Sequence, residues 1–170
     1  MRRMLDVSQL QVMDPLKSGS HFDICESMRR VLISMEKKIT DRHLDVDADI
    51  PEEPILVRGD NDMITQVIYN LLENATKFAR EGTTLYLGVT TIDGKARVTV
   101  RNLGDTIPAE ELPLLFERFH KSDKSRSEDK DGVGLGLYIV KTILEQHKEK
   151  INVTSENGVT TFAFSLSMDA

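Results

Sequence analysis

Apolar residues recur at Ile24, Met28, Val31, Leu32, Met35 and Ile39, one face of a helix, with Asp23 and Glu26 placed as a capping box at its start. A second stripe is unbroken from Met63 and Ile64 through Val67, Ile68, Leu71, Leu72 and Ala75, with Asp60 positioned to cap it. Between them, Leu44-Asp45-Val46-Asp47 alternates as a half-exposed strand does, and Ile55-Leu56-Val57 predicts a second short strand after Pro51 and Pro54. Strands are predicted over 83–90 and 96–101, joined through Ile92-Asp93-Gly94-Lys95, whose Asp-Gly pair marks a tight hairpin. A loop with Gly104 and Pro108 leads to a short helix expected from Glu110 to about His120, and the nearly all-polar stretch 121–131 predicts a mobile connection. A helix over about 134–147 turns Leu135, Ile139, Val140, Ile143 and Leu144 inward, and strands over 151–154 and 160–166 flank a turn at Asn157-Gly158. At the start, Met4, Leu5, Leu10 and Met13 are loosely helical, and Asp14-Pro15-Leu16-Lys17-Ser18-Gly19-Ser20 has linker chemistry.

Composition narrows the class. A chain of 170 residues and 19.2 kDa suits one domain plus a short appendage. With 39% apolar residues, no Trp and seven Met, the core should be aliphatic. A net charge of −6 argues against a nucleic-acid footprint, because Lys121, Lys124 and Arg126 form only a local basic stretch suited to a small anion. The single cysteine, Cys25, excludes an internal disulfide and a cysteine-built metal site, and its apolar neighbours predict a buried thiol. No stretch has the length or continuity of a membrane span or signal peptide, so a cytoplasmic piece without membrane contact is expected.

The chemistry lies in three segments. In Asn-Leu-Leu-Glu-Asn-Ala-Thr-Lys-Phe, residues 70–78, helical rotation brings Asn70, Asn74 and Lys77 into one sector beside the apolar stripe. Mg²⁺ takes oxygen ligands and usually keeps waters and substrate phosphates in its shell, so a neutral asparagine carbonyl suits a triphosphate that already supplies the charge. Two asparagines are also poor helix formers to spend without a task. In Gly132-Val133-Gly134-Leu135-Gly136-Leu137 the glycines alternate before a helix, which lets backbone amides approach a phosphate. This run lacks a P-loop ending and dinucleotide spacing, so alone it is an ordinary glycine turn as readily as a phosphate site. In Val98-Thr99-Val100-Arg101-Asn102-Leu103-Gly104-Asp105-Thr106-Ile107-Pro108 a strand enters a glycine loop, which can set Asn102 against an adenine amino group while Gly104 lets the base lie close. A strand running into a common turn fits that segment equally well.

Taken together, and in this order, the segments resemble the catalytic, ATP-binding domain of sensor histidine kinases, within the gyrase, Hsp90, kinase and MutL superfamily. The resemblance runs from about residue 22 to 167, with the N box at 70–78, the G1 box at 102–108, the F box at Phe116-Glu117-Arg118-Phe119 and the G2 box at 132–137. It implies a two-layer α/β sandwich of the α+β kind (the Bergerat-type fold), a mixed and largely antiparallel sheet with three helices on one face and ATP under a flexible lid. Residues 1–20 would be the end of a dimerisation and phosphoacceptor helix with its linker, and 21–170 the catalytic domain. The resemblance further implies that Asn74 binds Mg²⁺, that Asn70 supports the metal–phosphate cluster, and that Lys77 and Lys121 contact phosphate. Phe78, Ile107 and Phe119 would lie near the nucleotide, and Arg118 would serve catalysis or the lid. Gly132, Gly134 and Gly136 would wrap the phosphates, Leu135 and Leu137 would anchor the lid, and Thr160 would lie beneath the adenine.

Asn70 stands where ATP-hydrolysing relatives carry a glutamate that activates water. An amide cannot take that proton, so transfer of the γ-phosphoryl group to a protein histidine fits better than hydrolysis. That histidine would come from a separate dimerisation domain of the parent protein, with a response regulator downstream and the parent anchored in a bacterial membrane. None of His21, His43, His120 and His147 has a phosphoacceptor setting, and each reads as an ordinary polar residue, His120 lying beside the lid. Three positions depart from the pattern. Asn102 replaces the usual aspartate, losing charge assistance worth on the order of 1 kcal/mol. His147-Lys148-Glu149 replaces His-Gly-Gly, and Val159 replaces a glycine. Two other readings remain open at this point, a nucleotide-responsive binding module without turnover and a serine kinase of the anti-sigma-factor type.

Overall fold

The computed structural model describes residues 15–16, 20–117 and 136–168. Among the described residues seven strands, three α-helices and one 3₁₀ helix follow in the order β1 (His21–Asp23), α1 (Ile24–Asp41), β2 (Asp45–Asp49), β3 (Leu56–Arg58), α2 (Asn61–Phe78), β4 (Thr84–Ile92), β5 (Lys95–Leu103), the 3₁₀ helix (Ala109–Phe116), α3 (Gly136–Gln146), β6 (Ile151–Glu156) and β7 (Val159–Ser167). Five strands make one mixed sheet in the order β2-β4-β5-β7-β6, with β2 parallel to β4 and every other pairing antiparallel. The expected two-layer sandwich is present. The second predicted strand leaves the sheet, because β3 pairs with β1 in a separate two-stranded ribbon.

The strands alternate as a half-buried sheet must. Leu85 and Leu87, Val98 and Val100, and Phe162, Phe164 and Leu166 turn inward, where they meet the apolar stripes of the helices. The α2 stripe from Met63 to Ala75 is fully buried, and so are Ile24, Met28 and Met35 of α1. Cys25 is buried, and burial pushes its thiol pKa up, as an inert core thiol requires.

Caps agree with the sequence, with one correction. The Asp60 carboxylate accepts from the Met63 N–H at 2.9 Å. Asp23 accepts from the N–H groups of Cys25 at 3.0 Å and Ile55 at 3.1 Å, tying α1 to the segment ahead of β3. Glu26 does not close the box. Asp23 already ends β1 in register with Leu56, and Glu26 turns outward to Arg30 at 3.1 Å. The β4–β5 hairpin turns on Asp93 and Gly94 and the β6–β7 hairpin on Asn157 and Gly158, all four with positive φ, the requirement of a tight primed turn. The helix expected from Glu110 is instead a 3₁₀ helix, since Pro113 lies within it and contributes no backbone donor. Its Phe116 ring meets Phe162 edge-on at 6.1 Å.

Candidate nucleotide site

The carboxamide row on α2 runs from the interior outward: Asn70 is buried, Asn74 half-buried and Lys77 exposed. Asn70 is pinned at both ends. Its Nδ2 donates to the Gly136 carbonyl at 3.1 Å, and its Oδ1 accepts from Gln66 Nε2 at 2.7 Å. A carbonyl can only accept, so Gly136 fixes which way the Asn70 amide points, and Asn70 then fixes Gln66. The same bond joins the row to the first residue of α3, where the glycine segment ends. Asn74 makes no side-chain hydrogen bond among the described residues, so its carbonyl oxygen is available at the rim. Lys77 lies over the Phe78 ring, 5.8 Å from its centroid. Leu137 packs against the core one residue into α3.

A second polar row crosses the end of the sheet. Asn102 on β5 is in register with Thr160 on β7, and Thr160 with Ser155 on β6. Partners directly opposite in an antiparallel ladder share a face. All three side chains therefore lie on the helix-covered side, and all three are buried. The next row inward, Val100, Phe162 and Val153, is apolar. Thr160 and Ser155 share a hydrogen bond of 2.8 Å between their hydroxyls. Asn102, only 5% exposed, makes no side-chain hydrogen bond among the described residues.

The loop after Asn102 is tied down on two sides. Gly104 N–H donates to the Gly158 carbonyl at 2.8 Å, Gly158 N–H to Thr106 Oγ1 at 2.7 Å, and Ile107 N–H to Ser155 Oγ at 2.8 Å. On the other side Ala79 bridges to Gly104, and Arg80 N–H donates to the Leu103 carbonyl at 2.7 Å. The close approach that Gly104 permits is to backbone: a Cβ there would lie 2.5 Å from the Phe78 carbonyl oxygen. Two clefts open beside this loop. One of about 190 Å³ is lined by Arg42, Lys77, Phe78, Arg80, Glu81 and Asp105, and a wider one of about 450 Å³ by Arg80, Leu103, Thr106 and the Asn157-Gly158 turn. Val159 opens β7 without disturbing that turn.

The structure thus joins Asn70, in a row with Asn74 and Lys77 on α2, to Gly136 at the start of α3, sets Lys77 and Phe78 beside Gly104, and groups Asn102, Thr160 and, through Ser155, Ile107 at the end of the sheet. Arg118, Phe119, Lys121, Gly132, Gly134 and Leu135, the polar stretch 121–131 and the expected helix at 1–13 lie outside the described residues. Sequence reasoning missed Gln66, Thr106, Ser155 and Gly158. Thr106, Ser155 and Gly158 act through partners about fifty residues away, and Gln66 acts through Asn70, whose amide direction is set by the distant Gly136. It also misread His147. That imidazole is buried, accepts from the Asp60 N–H through Nε2 at 3.1 Å and donates from Nδ1 to the Ile143 carbonyl at 2.9 Å, joining α3 to the N-terminus of α2. Burial pulls its pKa below the ordinary value of 6.5, against weaker opposing effects of the Ile143 carbonyl, Asp60 and Glu149.

Comparison with known proteins decides the family. The family described as histidine kinase-, DNA gyrase B- and HSP90-like ATPase matches residues 59–170. The chain belongs to this ATPase family. Among curated members, the sensor histidine kinase CusS of Escherichia coli K12 is 40% identical over 110 residues, 65% of this chain and 23% of that protein. The sensor histidine kinase YkoH of Bacillus subtilis is 33% identical over 139 residues, 82% of this chain and 30% of that protein. The chain therefore spans about a quarter of the length of these family members. Among solved structures, the catalytic domain of histidine kinase ThkA superposes with a TM-score of 0.77 at 28% identity, covering 87% of this chain and 94% of that one. The mycobacterial sensor histidine kinase MprB gives 0.76 at 25% identity, covering 88% and 97%. The fold of this family member is thus that of histidine kinase catalytic domains.

Proposed function

We propose that this domain binds Mg·ATP between α2, α3 and the loop after β5, and transfers the γ-phosphoryl group to a histidine on a separate dimerisation domain of a two-component sensor. The observation that carries the reading is the 3.1 Å bond from Asn70 to the Gly136 carbonyl, which seats the carboxamide row against the glycine-opened end of α3. A triphosphate held there would meet Asn74 and Lys77 on one side and, on the other, the backbone amides at the start of α3.

The donor set fits Mg²⁺ held jointly with phosphate. Among the described residues no group of three or more His, Cys, Asp and Glu could hold a metal, while Asn74 offers a neutral oxygen with no competing partner. When bound, the ion neutralises charge on the phosphates. Asn70, with both amide ends engaged, fixes the wall from which Asn74 projects. No carboxylate takes its place to draw a proton from water, which favours transfer over hydrolysis. Asn102 and Thr160 would face the base, Gly104 and Ile107 would shape its pocket, and Phe78 and Phe119 would pack beside the nucleotide. Arg118, Lys121, Gly132, Gly134, Leu135 and Leu137 complete the proposed set, with Arg118 in catalysis and the others on the phosphates and lid. ThkA has also been solved in complex with the response regulator TrrA, a structure that aligns with this chain at a TM-score of 0.72 and 27% identity, which supports a response regulator as the downstream partner here.

The test is titration of the domain with a non-hydrolysable ATP analogue with and without Mg²⁺, followed by transfer of labelled phosphate to a supplied dimerisation domain. Mg²⁺-dependent binding with transfer is expected. Binding without transfer would leave a nucleotide-responsive binding module in its place.

A further inference from the structure

We infer that the base end of this cleft accepts 6-oxopurine as well as 6-aminopurine nucleoside triphosphates, and that Asn102 sets this tolerance. The inference rests on the nucleotide reading above and deepens it. Adenine presents an amino donor at C6 beside an acceptor at N1. A 6-oxopurine presents the reverse, a carbonyl acceptor beside an N1–H donor. A pocket that tells them apart needs at least one group of fixed polarity.

No such group stands in the row that would face the base. A carboxamide carries an acceptor and a donor of nearly equal size, and a half-turn of the amide exchanges them. Only a partner of fixed polarity prevents that turn. Asn70 has one in the Gly136 carbonyl. Asn102, equally buried, has none among the described residues. Its neighbours are also reversible. The hydroxyls of Thr160 and Ser155 lie 2.8 Å apart, and either can be the donor. Ile107 N–H holds the Ser155 oxygen in place but leaves the direction of its O–H free. The row thus holds one amide and two hydroxyls, all able to turn to match either purine. A carboxylate at position 102 could only accept, so it would welcome the amino group and repel the carbonyl.

Inosine triphosphate is the suitable probe, because it differs from ATP only at C6 and N1. Affinities for Mg·ATP and Mg·ITP are to be measured by displacement of a fluorescent nucleotide from the wild-type domain and from Asn102→Asp. The wild-type affinities are expected to differ by less than about tenfold, well short of the roughly 10⁴-fold rejection shown by sites built around a fixed hydrogen bond. In Asn102→Asp the ratio should widen about tenfold or more, through Mg·ATP binding about fivefold tighter and Mg·ITP binding weaker. A wild-type preference for ATP above tenfold would overturn the inference without recourse to any variant. So would an unchanged ratio in an Asn102→Asp protein that still binds Mg·ATP. Failure of the wild type to bind either nucleotide would instead overturn the ATP-site reading, and this one with it.

Discussion

His147 links two helices through one neutral ring, which makes the stability of the domain pH-dependent in a predictable direction. The unfolded chain binds a proton at this imidazole more readily than the folded one, because burial lowers the folded pKa below 6.5. Its contribution is therefore complete above pH 6.5 and is lost as the pH falls toward the folded pKa. Over that interval the loss approaches about 1.4 kcal/mol per pH unit, the limit for one proton. Replacing His147 with Leu keeps a buried side chain of similar bulk but leaves the Asp60 N–H without its acceptor, at a cost of about 1–3 kcal/mol near pH 7.5. Asp60 is the cap of α2, so the damage falls on the helix that carries Asn70 and Asn74. Urea unfolding followed by circular dichroism at several pH values from 8 to 5.5 measures both effects. Carboxylate titrations are common to the two proteins and cancel in the difference. The wild-type advantage should be largest at pH 7.5 and shrink as the solution is acidified. A gap between the two curves that stays constant with pH would refute the argument, and so would a Leu variant as stable as wild type at pH 7.5.

Three further outcomes are expected. Asn74→Ala should abolish the gain in nucleotide affinity that Mg²⁺ confers, and an undiminished Mg²⁺ effect in titration calorimetry would remove Asn74 from the metal site. Gly104→Ala places a methyl 2.5 Å from the Phe78 carbonyl oxygen, so the loop must shift, with a loss of about 1–3 kcal/mol in urea unfolding and weaker nucleotide binding. Lys148 closes α3 with φ of 59°, its N–H donating to the Glu145 carbonyl and the Glu149 N–H to the Leu144 carbonyl. Lys148→Gly should therefore raise stability by about 1 kcal/mol without altering nucleotide affinity, and a lower melting temperature would count against this assignment.

What could be read in advance follows the range of the interaction. The stripes of α1 and α2, the Asp60 cap and both hairpin turns depend on residues within a few positions of one another, and all are found where periodicity and turn chemistry put them. The carboxamide row was legible for the same reason, since one helix carries it. The row across Asn102, Thr160 and Ser155 was only half legible, because Ser155 joins it through the register of three strands, which a single strand's alternation does not specify. Gln66 sits among core residues and gave no sign of its task, which depends on Asn70 being pinned by a carbonyl 66 positions further along. His147 read as an ordinary polar residue at the end of a helix, and only the fold brings the chain before α2 over it; a Cβ on Gly59 would lie 2.7 Å from the ring. Pro113 was visible, and its consequence for the Glu110 helix was misjudged, as was the capping box expected at Glu26.

The bridge between Val57 and Met168, with Ser20 accepting from the Gly59 N–H at 3.0 Å, gathers the first and last segments of the described body at one pole of the sheet. Asn102 and Thr160 stand at the other, so the nine residues of β7 separate the two by roughly 27 Å at 3.3–3.4 Å per residue. With the proposed nucleotide at the second pole, a body pivoting about the first would act as a lever. Tilting it by about 20° about that pole would sweep the far end through about 9 Å, for the same strand length. Under the proposed function, so small a rotation would carry a bound nucleotide toward or away from its target with the sheet itself left rigid.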